Sequence, residues 1–273
     1  MINALDFLSP NQHADVLSYT PVAGGIGKQL KEATDKAIQR GDSLYLPAGL
    51  WLIKANDGLS PLSGWRINIP DNKSLLVFGD GDATIIRREA TETLKGTSSL
   101  IFIAANDKIN ISFQNLLVDG NEANCPIDLN QPFAHEQSAN VKFLRGNGTP
   151  NNVTFDNVAM TGCVGDGFQT NVKIQSLQVR NWRSYGRTRR PRADIQLSRI
   201  PLQVTNVTNF IGDAFEMEPS KLNAEHVINL NNMLVRGAFD LAGDKETQQF
   251  ANVYASNVTH LAQVGIGLPF SNF

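Results

Sequence analysis

Apolar residues recur at a regular interval through the C-terminal half of the chain, from Asn151 to Gly267. Each recurrence follows a turn of glycine or another small residue and a neighbouring polar or acidic residue. The positions in register are Phe168, Ile195, Phe215, Phe239 and Ile266. Their separation averages about 25 residues, within the range typical of stacked repeats. Because one repeat cannot bury its own apolar row, this pattern predicts a parallel β-solenoid with strands about 4.8 Å apart.

The N-terminal region carries a helical period instead. An apolar stripe with helical spacing ends before Gly41, as the C-terminus of a helix should; it consists of Ile26, Leu30, Ala33, Ala37 and Ile38. We expect residues 3–10 to form a short extended arm. An amphipathic helix can cover the core and the unpaired edges at an open solenoid end. The predicted organisation is therefore an arm and capping helix in residues 1–43 and a parallel β-helix in residues 44–273, as one structural domain.

Strand signals continue between these two regions. Residues 44–53 alternate as a strand, a Pro-Ala-Gly turn and a second strand. Residues 75–86 predict two strands around a Gly-Asp-Gly turn, and residues 109–121 predict a strand, a bend and another strand. The longest non-periodic insert, residues 122–138, follows. Long inserts in a solenoid project from one face and often form a binding wall.

These N-terminal features resemble a known family. The arm ending in Asp6-Phe7, the amphipathic helix and the run from Leu44 to Ile53 resemble the start of pectate-lyase-like right-handed β-helices, and above all bacteriophage tailspike polysaccharide depolymerases. The glycine- and aspartate-rich segment usual before the helix is replaced by residues 18–25. The resemblance implies an all-β fold, a right-handed single-stranded parallel β-helix, that hydrolyses a bacterial capsule, O-antigen or exopolysaccharide. It also implies a homotrimer located in the phage tail or outside the cell.

The composition of the chain argues against several classes of binding partner. The formal net charge is −2 and 18% of residues are charged, which argues against general nucleic-acid or membrane binding. No apolar run approaches the length of a membrane-spanning helix, and the N-terminus shows no signal-peptide pattern. The two cysteines, Cys125 and Cys163, are expected to be small buried side chains without a disulfide framework. The four histidines lack metal-ligand spacing, so we predict neither a metal site nor a cofactor.

Asparagine recurs in the motif Asn-x-Ser/Thr at Asn110, Asn152, Asn206 and Asn257. Each motif matches a glycosylation acceptor. The recurrence favours a different cause, because an asparagine at a repeated position can bond to its equivalent one coil away. The sequence thus predicts an asparagine ladder.

A cationic cluster lies between Arg180 and Arg192 in a nearly neutral chain. It permits three interpretations: a solvated loop, a site for acidic sugars or phosphates, or a nucleic-acid contact. Arginine binds carboxylates and phosphates in bidentate fashion, and aromatic rings stack on sugars. The candidate substrate-binding residues are Trp182, Tyr185, Arg187, Arg189, Arg190 and Arg192, beside Arg183.

Strand alternation assigns the acidic residues to faces. If the apolar row points inward, an outward row contains Gln169, Gln196, Glu216 and Asp240. Glu216 and Asp240 would lie about 5 Å apart. Asp194 and Glu216 would lie about 8 Å apart, so the spacings of both retaining and inverting glycosidases are available. Two stacked carboxylates repel, which raises one pKa and supplies a general acid.

The catalytic candidates are Glu216, Asp240, Asp194, Glu218 and Asp213, and the substrate-binding candidates include Asp166, Gln169 and Gln196, with Asp166 and Asp213 expected in the turns before the strands. The favoured interpretation is a glycoside hydrolase that degrades a bacterial polysaccharide. A lyase or epimerase acting on uronic acids is the first alternative, with the arginines neutralising the sugar carboxylate. A non-catalytic glycan-binding β-helix is the second, since outward acids can simply be a solvated face.

Overall fold

A computed structural model defines the fold. It describes residues 1–54, 63–90, 99–125, 139–143, 148–163, 165–170, 172, 174–185, 195–198, 204–212, 215–218, 227–236, 239–241 and 252–261. Within these ranges it describes the backbone alone at residues 63, 185, 195–198, 216–218, 239–241 and 260.

Strands make up most of the described chain, with two α-helices near the N-terminus. The helices are α1 (Pro10–Leu17) and α2 (Gly27–Arg40), and a 3-10 turn covers Ala4–Phe7. The strands are β1 (Ile2–Asn3), β2 (Leu44–Leu46), β3 (Gly49–Ile53), β4 (Ser63–Ile67), β5 (Ser74–Arg88), β6 (Ser99–Ile103), β7 (Asn110–Asp119), β8 (Ala139–Phe143), β9 (Asn152–Thr161), β10 (Asp166–Thr170), β11 (Ser176–Tyr185), β12 (Ile195–Ser198), β13 (Val204–Gly212), β14 (Phe215–Glu218), β15 (Val227–Val235), β16 (Phe239–Leu241) and β17 (Asn252–His260).

The described strands form two parallel sheets, and from β4 onward the chain alternates between them. The first sheet has the order β1-β2-β5-β7-β9-β11-β13-β15-β17, with β3 also paired to β5. The second sheet has the order β16-β14-β12-β10-β8-β6-β4. From β5 onward, each described strand therefore pairs with the strand two positions earlier in the chain. The predicted all-β parallel fold is confirmed.

The predicted register also holds wherever it is described. Phe168 pairs with Ile195, Ile195 with Phe215, and Phe215 with Phe239, on neighbouring strands of the second sheet. Ile266 lies outside the described residues. The repeat of apolar positions in the sequence is thus the repeat of strand pairs in the sheet.

Aromatic rings fill the core between the two sheets. Phe155 of the first sheet lies at its centre, with its ring centroid 4.9 Å from Phe168 of the second sheet and 5.5 Å from Trp182 of the neighbouring strand. Phe210 continues the contact, 6.2 Å from Trp182 and 5.8 Å from Phe215. All five rings are fully buried. Burying such rings stabilises the stack, since each removes a large apolar area from water.

Burial alternates along several strands of the first sheet, such as β13 and β15, so part of one face is accessible to water. An asparagine in the left-handed region, with φ of 52–55°, recurs on its bends. Four side-chain bonds of 2.6–3.2 Å join neighbouring members, while Asn181 donates to Asp156 Oδ1 instead. The members are Asn115, Asn157, Asn181, Asn209, Asn232 and Asn257.

The predicted ladder is therefore confirmed at Asn257, and shorter ladders occur at the other motifs. Asn152 donates to Asn110 at 2.7 Å, and Asn229 donates to Asn206 at 2.6 Å. Asparagine suits this role because its amide both donates and accepts.

The N-terminal region is more helical than predicted. Helix α2 ends at Gly41, which has φ 67°, and it buries the predicted stripe. The expected extended arm is wrong beyond β1, because a 3-10 turn and α1 occupy it. Ser9 and Gln12 form a capping box that starts α1, with Pro10 at its first position. That Ser-Pro-x-Gln signature was available in the sequence.

Two further predictions need adjustment. The expected pair of strands in residues 75–86 is one strand, β5, with register shifts around Gly81. Strands β2 and β3 form as predicted, and both pair with β5 in parallel. The part of the chain that the structure describes contains no helix long and apolar enough to cross a membrane.

Candidate functional site

A row of polar residues crosses the second sheet at one register position. Gln169 pairs with Gln196, Gln196 with Glu216, and Glu216 with Asp240. Neighbouring strands lie about 4.8 Å apart. The sheet therefore brings together residues that lie 20 or more positions apart in the sequence, as the repeat predicted.

The row extends to a residue that sequence analysis missed. Lys142 of β8 pairs with Gln169. The run from Asn140 to Phe143 alternates polar and apolar residues as the later repeats do. Extending the repeat upstream through that alternation would have placed a cation in the same row as the candidate acids, three strands from Glu216.

This part of the second sheet is closed to water, contrary to expectation. Gln169 was expected to point outward into water, but its side chain is only 1% exposed. Lys142, which belongs to the same row, is 5% exposed. Every residue of β8 and β10 is buried. A sheet buried on both faces is typical of parallel architectures. Polar groups on this face consequently lie in a low-dielectric environment, where charge interactions are stronger than in water.

Asp166 lies in a different position from the predicted one. It is the first residue of β10 rather than part of the preceding turn, and it is 2% exposed. Residues two apart on a strand share a face. Asp166 therefore shares the face of Phe168 and is separated from the row of Gln169.

Trp182 is a core residue and not a sugar-stacking side chain. It belongs to β11, is fully buried, and packs between Phe155 and Phe210. The prediction failed because Trp182 follows the inward alternation of its strand, which the neighbouring arginines obscured. Arg183 lies in the same strand, where its Nη2 donates to Asp82 and to Asn157.

The remaining candidates have less structural description. Glu216 and Glu218 lie in β14 and Asp240 in β16, and the structure describes only the backbone of these three residues. Tyr185 ends β11, and its backbone pairs with Thr161. The other predicted residues lie outside the described residues: Arg187, Arg189, Arg190, Arg192, Asp194 and Asp213.

The described residues contain no group of three or more histidine, cysteine or acidic side chains that could hold a metal ion. Both cysteines are buried and reduced, as predicted.

Comparison with known proteins supports the fold. No protein-family model matches the sequence, and no curated protein matches it. Among solved structures, the A-module of mannuronan C-5 epimerase AlgE6 from Azotobacter vinelandii is similar, with a TM-score of 0.57 and 17% identity over 93% of this chain. The chain spans 62% of the length of that module. The A-module of AlgE4 from the same organism has a TM-score of 0.45 and 16% identity, over 94% of this chain and 75% of that one. The first likeness supports the parallel β-helix fold.

Proposed function

We propose that this chain is a carbohydrate-active enzyme whose site lies at the β12–β16 end of the polar row of the second sheet. One observation carries the proposal: Gln196, Glu216 and Asp240 share a register position on three successive strands. A polysaccharide is itself a repeating chain, and an extended row of polar groups suits its successive sugar units. The fold is similar to that of the mannuronan C-5 epimerase A-module, and this similarity supports a polysaccharide substrate.

The architecture we infer is a right-handed, single-stranded solenoid with α2 as its N-terminal cap. The alternation of successive strands between two parallel sheets supports the solenoid. Helix α2 contacts β1, β2 and β4, the first strands of each sheet, which supports the cap. The cap would protect strand edges that otherwise invite pairing with other chains.

The first chemistry we propose is hydrolysis by Glu216 and Asp240. At one register position on neighbouring strands, two carboxyl groups match the roughly 5 Å separation of retaining glycosidases. One carboxylic acid donates a proton to the leaving oxygen, and the other carboxylate attacks the sugar to form a covalent glycosyl-enzyme. Water, deprotonated by the first residue, then releases the sugar. If Asp194 acts with Glu216 instead, the separation of about 8 Å fits inversion, with water as the nucleophile.

A second chemistry, elimination or epimerisation on uronic acids, is supported by the similarity of fold to the mannuronan C-5 epimerase module. In this chemistry Arg187, Arg189, Arg190 or Arg192 would neutralise the sugar carboxylate. A cation beside a sugar carboxylate stabilises the negative charge that forms when the neighbouring carbon loses its proton. Tyr185 or a basic side chain would take that proton. Loss of the glycosidic oxygen, which takes up a proton and leaves as a hydroxyl, then gives an unsaturated sugar, whereas delivery of a proton to the opposite face of the same carbon gives the epimer.

Product analysis on a panel of purified bacterial polysaccharides tests these proposals. Hydrolysis releases reducing ends and adds the mass of water to each pair of fragments. Elimination gives products without added water that absorb in the ultraviolet, and epimerisation changes the NMR spectrum without changing the mass. Binding without any product would support the non-catalytic alternative, and neither binding nor product on uronate-containing or neutral polysaccharides would contradict the proposed function.

The tailspike-like role, the location in a phage tail or outside the cell, and the homotrimer stay predictions. Light scattering tests the assembly directly. A monodisperse monomer at micromolar concentration would contradict the trimer.

A further inference from the structure

Arg88, the last residue of β5, is buried without a polar partner for its side chain. That side chain is 1% exposed, and Nε, Nη1 and Nη2 have no hydrogen-bond partner in the described part of the chain. None of the ion pairs between described residues includes Arg88. Residues two apart on a strand share a face, so Arg88 lies on the same face as Ile86, a core residue. Its three donor atoms therefore lie inside the protein, away from water.

The guanidinium group of Arg88 is charged at neutral pH despite this burial. Burial lowers the pKa of Arg88, but the ordinary pKa of a guanidinium group is above about 12, and the group stays protonated in proteins. Taking such a charge out of water is strongly unfavourable unless a negative group lies against it. The burial of Arg88 therefore calls for a negative partner.

The acid next to Arg88 in the sheet register has partners of its own. Asp119 of β7 pairs with Arg87, the residue before Arg88. Arg87 Nε donates to its Oδ2 at 2.7 Å, and Asn121 N donates to its Oδ1 at 2.8 Å. Because successive residues of a strand point to opposite faces, Arg87 and Asp119 lie on the face opposite to Arg88. Asp119 therefore does not compensate the charge of Arg88.

Two other buried acids and two thiols do not supply the partner either. Glu122 and Asp166 are buried, and no hydrogen bond joins either of them to Arg88. Each of these acids has an interaction of its own. Cys125 and Cys163 donate from Sγ to backbone carbonyl oxygens, as neutral thiols do. The described residues thus place no negative atom in hydrogen-bond contact with this guanidinium group.

The packing beside Arg88 is close. The sheet register places Gly120 and Gly162, which directly follow β7 and β9, in the row of Arg88. A Cβ atom on Gly120 would lie 2.4 Å from Asn140 Oδ1 and 2.3 Å from Gly162 O. A side-chain amide and the backbone therefore fill this row, without room for one extra carbon at Gly120. Packing of this kind favours a small ligand for Arg88 over a sugar carboxylate.

A second buried polar atom without a partner lies in the same coil. Ser99 begins β6, the strand that follows β5, and its side chain is fully buried. Ser99 Oγ has no hydrogen-bond partner in the described residues. Ser99 shares the face of Ile101, a core residue. Its hydroxyl group can donate to an anion held between the two sheets.

We propose that Arg88 binds a small monovalent anion, such as chloride, inside the protein where the chain passes from β5 to β6. One negative charge balances one guanidinium group, whereas a divalent anion would leave a buried charge unbalanced. The N–H groups of Arg88 donate to the anion in charge-assisted hydrogen bonds, and Ser99 Oγ is a further donor. This site is separate from the polar row of the second sheet and does not depend on the proposed function.

Bromide replaces chloride and scatters X-rays anomalously, so it tests directly whether the site is filled. The protein is refolded from urea and crystallised with bromide as the only halide, so that an ion enclosed during folding is also exchanged. The anomalous difference map should show a peak in hydrogen-bond contact with the Arg88 guanidinium group. Peaks at surface positions alone would indicate an adventitious ion only and would overturn the proposal, as would a map without peaks.

Thermal unfolding measures the same binding in solution. Circular dichroism melts are recorded at constant ionic strength while chloride replaces methanesulfonate, a larger anion. Because a ligand that binds the folded state alone stabilises it by mass action, a tenfold rise in chloride above the dissociation constant should raise the midpoint by roughly 3 °C. A midpoint that does not change with chloride would contradict the site.

Two variants assign the chloride dependence to one residue. Arg88→Met removes the charge and should abolish the dependence, because no group remains to attract the anion. Arg87→Met is the matched control, since Arg87 is the neighbour in β5 but forms an ion pair with Asp119; it should leave the dependence unchanged. The same dependence in both variants would show that chloride acts elsewhere. If Arg88→Met does not fold, the bromide map of the unmodified protein decides the question.

Discussion

The two sheets of this protein are built from the same repeat but differ in what they do with polar residues. On the first sheet, asparagines at the bends bond to one another, as Asn157 does to Asn115 at 2.8 Å. Its outward positions remain in contact with water. On the second sheet, Lys142 and Gln169 are enclosed. The polar residues of the first sheet thus bond across the stack, whereas those of the second sheet lie in a water-excluding environment, beside which we place the proposed site.

The largest expected effect is on activity, from the carboxylates of the second sheet. Glu216→Gln and Asp240→Asn should each lower kcat by about 100- to 10,000-fold, the usual loss when a general acid or base is removed. The matched change on the first sheet is Asp156→Asn, at the exposed ion pair with Arg180, and it should leave kcat within about twofold. Equal losses from both sheets would contradict the assignment of function to the second.

The next effect is on stability, from the core that both sheets share. Trp182→Ala should lower the free energy of unfolding by about 3–5 kcal/mol, because it opens a large cavity. Urea denaturation measures this loss, and Trp182→Phe should cost less because it keeps a ring in the stack. A stable Trp182→Ala protein with weakened glycan binding would instead restore Trp182 as a substrate-binding residue.

Periodicity explains how much of this structure the sequence predicts. The apolar row of Phe168, Phe215 and Phe239 defines the strand register, because only one register buries all of it. The neighbouring row of Gln169 and Glu216 follows without further information. Burial of the outward face does not follow, because alternation assigns a residue to a face and says nothing about what covers that face.

Local composition was a weaker guide than periodicity. Arginines around Trp182 suggested a loop, yet the residue belongs to the inward positions of β11. Helix α1 was missed because its eight residues carry a single buried position, Val16.

A smaller effect is expected from the ladder of the first sheet. Asn157→Ala should lower the free energy of unfolding by about 2 kcal/mol, because it removes the bond to Asn115 and places alanine in the left-handed region. Asn157→Gly removes the same bond but tolerates that backbone, so it should be less destabilising. Comparing the urea midpoints of Asn157→Ala and Asn157→Gly separates the contribution of the side-chain hydrogen bond from the cost of placing alanine in the left-handed region. Equal midpoints for Asn157→Ala and the unmodified protein would contradict a structural role for the ladder.

The smallest expected effect is a change of stability with pH, caused by Tyr45 in β2 of the first sheet. The Tyr45 hydroxyl donates to Asp80 Oδ2 at 2.9 Å, and this hydrogen bond raises the pKa of Tyr45 above its ordinary value of 10.0. Because the pKa of Tyr45 is raised in the folded state, the Tyr45–Asp80 hydrogen bond contributes fully to stability below pH 10. This contribution is lost as the pH rises through the folded-state pKa. Tyr45→Phe should remove that alkaline loss in urea titrations at increasing pH. An alkaline stability profile identical in both proteins would contradict the assignment.

Mapping where a bound polysaccharide contacts the chain is the most direct test of the difference between the sheets. A photoreactive oligosaccharide prepared from an identified substrate can be cross-linked to the protein, and the labelled peptides identified by mass spectrometry. The account predicts cross-links in the peptides that contain β12, β14 and β16 of the second sheet. Cross-links confined to the ladder-bearing strands of the first sheet, such as β9 and β13, would contradict it.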